Sequence, residues 1–214
     1  MYIPSQFREE DTAAIHEVMR AAKLCQFVTA TSDGLMATPM PMLFEPGEGD
    51  HGVLYGHLAR ANPQWGATTT GDAMVIFTGP DAYVTPSWYE TKAISGKVVP
   101  TWNYVAIHAY GPAEFFDDAG RLLDVVTRLT QQQEHDRPSP WAVSDAPETF
   151  VASQLRGIVG VRIPISRIDA KTKMSQNRNL ADRKGVAEGL QDSRLEADRI
   201  VGSLVAEKIG TQTE

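Results

Sequence analysis

The side chains best suited to chemistry lie between Tyr83 and Tyr104, in the stretch YVTPSWYETKAISGKVVPTWNY. Ser87, Trp88, Tyr89 and Lys92 are followed, after one glycine-centred turn, by Thr101, Trp102, Asn103 and Tyr104. Flat apolar faces therefore stand beside donors, acceptors and cations, a mixture that suits a planar anionic ligand. A segment built only for connection is normally short, polar and poor in large aromatics. The same aromatics would also serve as a satellite core under a long loop, with Lys92 and Lys97 solvated, so companion sites must decide.

Arg60 follows an apparent strand and precedes Asn62-Pro63. A guanidinium there could clamp a phosphate through two parallel hydrogen bonds, with His57 and Asn62 adding donors, although an isolated surface arginine is ordinary. Lys173, Ser175, Gln176, Asn177 and Arg178 form a dense cluster of donors that reads equally well as a solvated loop. His57 and His108 have no His, Cys or carboxylate partner at a metal-ligand spacing, so no metal site is expected. Nucleophile elbows, Cys/His pairs and helix-borne HExxH motifs are absent from the sequence, which gives hydrolase chemistry no foothold. Gly47, Gly49 and Gly52 fit GxGxxG formally, but a strand and not a helix should follow them, so they read as a hairpin loop.

The elements that must position these groups are mostly β. Asp11 caps an expected helix over residues 11–24, with Ile15, Val18, Met19 and Ala22 at helical spacing. CQFVTAT and LMATPMPMLFE then flank Ser32-Asp33-Gly34 as a hairpin. Pro39 and Pro41 cannot donate ladder bonds, so the second strand has an open edge or an interruption there, and at an open edge the amides of Thr38, Met40 and Met42 could meet a heteroaromatic ring. VLYGHL, residues 72–79, residues 82–85 and NYVAIHAYGPAEFF complete six or seven antiparallel strands within the first 116 residues. A helix is expected over 119–135, and a shorter one starts at the Asp145–Glu148 cap and runs to Arg156. Residues 158–168 alternate as a final strand, residues 171–185 read as a basic loop, and Ser193–Glu196 opens a C-terminal helix through Lys208. The expected division is a barrel domain over 1–170 and an extension over 171–214, packing on the barrel or on a dimer partner.

The chain has 214 residues, one cysteine and a formal net charge of −7. That length could bury roughly 70 % of the unfolded surface without staples. Cys25 has no internal disulfide partner, and no signal peptide or membrane span is visible, so a cytoplasmic protein is expected. The acidic balance argues against a broad nucleic-acid footprint.

GHLARANPQW (56–65), YVTPSWYETK (83–92), VPTWNYVAIHAYG (99–111) and KTKMSQNR (171–178) resemble the signature blocks of the PaiB family of FMN-binding negative transcriptional regulators. The opening MYIPSQF and the length fit as well. The resemblance implies a mainly β, α+β fold: an antiparallel split β-barrel with peripheral helices, similar to pyridoxamine phosphate oxidase-like flavoproteins. It further implies a homodimer with FMN near the subunit interface. By the same resemblance Arg60, with His57 and Asn62, would hold the phosphate, and the flavin ring would lie along Thr38, Pro39 and Met40. Ser87, Trp88, Tyr89, Lys92, Trp102, Asn103, Gln176 and Arg178 would close the pocket, with Lys92 as the cation near the ring. No basic, well-capped helix-turn-helix is visible, so direct DNA binding is doubtful. An FMN-dependent oxidoreductase is the alternative, and a haem-binding split barrel using His57 or His108 ranks below both.

Overall fold

A computed structural model describes residues 1–210; the last four residues of the expected 171–214 extension lie outside the described residues. The strands are β1 (Cys25–Thr31), β2 (Gly34–Met40), β3 (Leu43–Glu45), β4 (Val53–Ala59), β5 (Ala73–Val84), β6 (Thr101–Gly111), β7 (Glu114–Phe116), β8 (Ile158–Pro164) and β9 (Arg167–Lys173). The helices are α1 (Thr12–Ala21), α2 (Glu90–Ser95), α3 (Ala119–Glu134), α4 (Glu148–Leu155), α5 (Leu180–Gln191) and α6 (Glu196–Gly210). The strands form two antiparallel sheets, ordered β2-β1-β5-β6-β9 and β3-β4-β8-β7.

Four times the chain leaves one sheet for the other, and three of these crossings carry a proline at the strand end. Pro41 lies between β2 and β3, Pro112 lies between β6 and β7, and Pro164 ends β8 before β9 begins. A residue without an amide proton cannot extend the ladder it leaves, so these positions release the strand. Gly111 is required at one corner, because a Cβ there would sit 2.0 Å from the Pro164 carbonyl oxygen. The hairpin β1–β2 pairs Cys25 with Met40 through Thr31 with Gly34, and β2 is the sheet edge that Pro39 predicted.

Several sequence boundaries move. Residues 72–79 and 82–85 belong to one strand, β5, whose buried set changes from Ala73, Val75 and Phe77 to Ala82 and Val84 across Gly79-Pro80. That change of phase is what made it read as two. Residues 158–168 are not one strand: β8 ends at Pro164, and β9 begins at Arg167 in the other sheet and runs through Lys173. The Tyr83–Tyr104 stretch contains a 3-10 turn, Pro86–Trp88, and α2, which Gly96 closes at φ 65°. Asp145 does not cap α4; Pro147 precedes that helix, while the Asp145 carboxylate accepts from the Ala142 amide. Helix α5 has no counterpart in the sequence reading, although Asn179 caps it by accepting from the Asp182 amide at 2.8 Å.

The chain divides into two compact units. One comprises Met1–Ile15, Thr78–Ile107 and the chain from Asp169 onward; the other comprises His16–Phe77 and His108–Ile168. In the second unit, Phe116, Leu122, Val125, Leu129 and Leu155 form a buried cluster that seats α3. Each such side chain withdrawn from water contributes about 1.5–3 kcal/mol. In the first unit, α5 and α6 pack together through buried Val186, Leu190, Val201 and Val205.

Candidate functional site

Six expected site residues lie in the His16–Phe77/His108–Ile168 unit, and the fold uses most of them. The Thr38 hydroxyl donates to Gln64 Oε1 at 2.6 Å and accepts from Asn62 Nδ2 at 2.9 Å. Gln64 is fully buried and donates to Phe27 O, Thr29 Oγ1 and Met36 O. Asn62 also caps the turn that carries Gln64, accepting its amide at 2.9 Å. Thr38 and Asn62 are thus joined as supports of a buried glutamine. Met40 is buried, and a Cβ on Gly56 would lie 2.5 Å from its methyl; Pro39 is exposed on the edge strand.

Arg60 is occupied by its own unit. Its Nε donates to Arg156 O at 2.9 Å, one terminal nitrogen donates to Ile158 O at 3.1 Å, and the other lies 3.7 Å from Asp117. The fork geometry that would suit a phosphate is instead fixed on the carbonyls that open β8. His57 stands across from Gly160, which in turn faces Phe116. Its Nδ1 is buried with no partner among the described residues, and burial lowers the ring pKa, so His57 is a neutral side chain and not a cationic donor at pH 7.

The other eight lie in the unit containing residues 78–107. Trp88 rests on α5: a Cβ on Gly189 would meet its indole at 2.4–2.5 Å, and one on Gly185 would meet its carbonyl at 2.1 Å. Asp182 holds α2 against α5 by accepting from the amide and hydroxyl of Thr91 at 3.0 and 2.9 Å. Ser87, Trp88, Tyr89, Leu180, Lys184 and Glu188 consequently line an open cleft of about 650 Å³. Lys92 is exposed and donates to Ser87 Oγ at 3.1 Å. Tyr89 is buried beneath the Arg178 guanidinium, 4.6 Å from its ring centre. Burial raises the Tyr89 pKa.

Asn103 and Gln176 are structural. Buried Asn103 bonds Ser175 Oγ at 3.0 Å, which fixes Ser175 at φ 61°, the only non-glycine residue with positive φ among the described residues. Gln176 ties the same turn to itself, accepting from the Met174 amide and donating to Thr172 O, both at 2.6 Å. Trp102 is different: it is 53 % exposed and meets the 47 % exposed Tyr83 edge to face at 5.9 Å.

One face of β6 and β9 gathers the groups that remain available. Trp102 and Tyr104 alternate onto it from β6, and Lys171 and Lys173 from β9. The Lys171 and Lys173 ammonium groups lie 5.0 and 5.9 Å from the Tyr104 ring centre. Lys173 donates to Thr101 Oγ1 and Trp102 O, each at 2.5 Å, leaving one N–H to spare. Burial, and then the charges of Lys171 and Arg178, lower its pKa.

Lys171 is only 7 % exposed, yet among the described residues its ammonium makes one hydrogen bond, a 3.4 Å contact to Tyr2 O. Among the described residues neither it, Lys173 nor Arg178 has a carboxylate within ion-pair distance. Three rings at 5.0–6.0 Å each return about 0.5–1 kcal/mol, whereas an unpaired buried charge costs several. The donor set therefore fits a planar molecule with an anionic group. Among the described residues no group of three or more His, Cys, Asp or Glu side chains is placed to hold a metal ion.

Gln64 and Lys171 are site elements that the sequence does not single out. The signal for Lys171 was the alternation K-T-K, which puts both lysines on one face only if the segment is a strand. The GxxxG of α5 likewise announced a groove for a large side chain. The cations from Arg167 through the basic loop are not one free stripe: Arg167 stacks on Tyr110 at 3.7 Å, and Lys171 and Arg183 are buried.

Two antiparallel sheets of this order form a split β-barrel. Two solved structures share the fold at low identity. The FAD and haem binding protein from Mycobacterium smegmatis superposes with TM-score 0.55 and 16 % identity, over 78 % of this chain and 73 % of that one. The flavocytochrome Anf3 from Azotobacter vinelandii gives TM-score 0.53 and 15 % identity, over 78 % and 68 %. The family model described as "Putative FMN-binding domain" matches residues 1–167. "Protease synthase and sporulation protein PAI 2" of Bacillus subtilis is 33 % identical over 99 % of this chain and 100 % of its own length. An uncharacterized protein of Emericella nidulans is 32 % identical over 97 % of each. The chain belongs to this PaiB-type family of FMN-binding domains, and FMN is the cofactor that the family assigns.

Proposed function

We propose that FMN serves this protein as a sensor or redox cofactor in negative regulation of transcription. The observation that carries the reading is the β6–β9 face, where Trp102 and Tyr104 stand beside Lys173 and Arg178 with no opposing carboxylate. FMN supplies electron transfer through its isoalloxazine when bound. The protein supplies position and charge: Trp102 and Tyr83 offer flat contact area, Lys173 and Arg178 receive negative charge, and exposed Lys92 is the cation proposed to favour the reduced ring. The name of the Bacillus subtilis relative, which refers to protease synthase and sporulation, supports a regulatory role. A cytoplasmic homodimer is part of the proposal, supported by exposed Ile94, Val99 and Trp102 in the same unit. The resemblance-based assignment of Arg60, with His57 and Asn62, to the phosphate competes with the carbonyl contacts that now hold Arg60.

The test is an absorbance spectrum of the full chain after FMN is added and unbound flavin is removed by gel filtration. We expect stoichiometric flavin, lost on Trp102→Ala and retained in Arg60→Lys. A spectrum without flavin under saturating FMN sinks the cofactor reading. The open Tyr83–Trp102 pair also favours a second reading, an FMN-dependent oxidoreductase in which another planar molecule stacks there. Oxidation of a nicotinamide by the flavin-loaded protein would select it; bound flavin without turnover would select the sensor.

A further inference from the structure

We propose that Lys173 and Arg178, backed by Lys171, form a site for a phosphate monoester dianion within the unit that carries β6 and β9. The proposal rests on the flavin reading for one source of that phosphate, the FMN tail, but the site would take a separate phosphorylated small molecule by the same chemistry.

Three observations converge. Lys171 is buried among the rings of Tyr2, Phe7 and Tyr104, and among the described residues no carboxylate lies within ion-pair distance of its charge. Lys173 on the same strand face keeps one N–H after donating to Thr101 and Trp102. Arg178 lies over Tyr89 with its forked donors free of any ion pair. A dianion is the ligand that offsets two or three positive charges at once, and guanidinium and ammonium donors match phosphate oxygens in geometry and charge. A carboxylate would neutralise one of them only. The turn that carries Arg178 is held rigid by the Asn103–Ser175 bond and by Gln176, so the donors are fixed in advance. Surface lysines that merely solvate a strand edge have no such support.

The test uses the flavin-free full chain at constant ionic strength, with FMN, riboflavin and inorganic phosphate as probes. Wild type is expected to bind FMN at least about tenfold more tightly than riboflavin, a difference of one phosphate. Lys173→Gln and Arg178→Gln should each cut that ratio about fivefold or more while leaving riboflavin affinity unchanged, and Lys173→Arg should restore it. That outcome assigns the site to the FMN tail. If the ratio is insensitive but inorganic phosphate raises the Tm of wild type and not of the two Gln variants, the phosphate belongs to a separate ligand and the site stands. If neither flavin binds, the cofactor reading fails, and the phosphate arm alone decides the site. An unchanged FMN-to-riboflavin ratio together with equal phosphate stabilisation in wild type and variants overturns the proposal. Lys173 is half-buried at a strand end, so its variants should fold where Lys171→Met risks failing.

Discussion

The indole of Trp88 lies so close to Gly189 that a Cβ built there would stand 2.4 Å from Cε2 and 2.5 Å from Cδ2 and Nε1. Glycine is otherwise unfavourable inside α5 by about 1 kcal/mol relative to alanine, so the close approach must be worth more than that. We expect Gly189→Ala to destabilise the protein by about 1–3 kcal/mol in urea unfolding, the cost of overpacking, despite its better helix propensity. The control is Gly120→Ala in α3, where the nearest atom would be Asp118 Oδ1 at 3.4 Å. That variant should be neutral or stabilised by up to about 1 kcal/mol. A stabilised Gly189→Ala would mean that Trp88 moves freely.

Gln64 offers a second test. Replacing it with Leu removes donors and acceptor from Phe27 O, Thr29, Met36 O and Thr38 in a site closed to water. Orphaned buried groups cost about 1–3 kcal/mol each, so a loss of at least 3 kcal/mol is expected. For a chain of this size that lowers Tm by roughly 6–12 °C. Differential scanning calorimetry reads it directly. Thr38→Val should cost less, because only the end of the network is cut.

Cys25 is buried, and burial pushes its thiol up to about 12. The native protein should therefore be inert to a thiol-disulfide reagent at pH 8, and unfolding in guanidinium should release one reactive thiol. Reaction of the folded protein at the unfolded rate would show that β1 opens readily. Below its unfolded pKa the protonated thiol costs nothing; as pH rises above that value, up through the native one, stability should fall.

His57 sets an acid limit. Burial lowers its native pKa, so the unfolded chain binds a proton before the folded one does. Its contribution to stability is complete above the unfolded value near 6.5 and is lost as pH falls below it toward the native pKa. We expect Tm to decline from pH 7 to pH 5 with a His57-dependent component that His57→Phe removes. The same variant deletes the unpartnered Nδ1, so it should be at least as stable as wild type at pH 7. An unchanged slope would assign the decline to other groups.

The sequence by itself determined the β-rich framework, because period-two alternation, the Asp33-Gly34 turn and the prolines are local signals. β1, β4 and α3 fall where those signals put them, the expected strand over 35–45 divides at Pro41 into β2 and β3 of different sheets, and α6 begins at the Ser193–Glu196 box. It also carried the family resemblance and the aromatic stretch. Tertiary structure decided which of the candidate side chains are free. Thr38, Asn62, Asn103 and Gln176 satisfy buried or local backbone partners, and Arg60 caps a strand end, because a buried polar group must be paired before it can serve anything else. Residue type announces a donor but not its partner. Lys171 shows the converse: its strand was read as a loop, and only the pairing of β9 beside β6 turned a solvated lysine into a buried charge without a counter-ion.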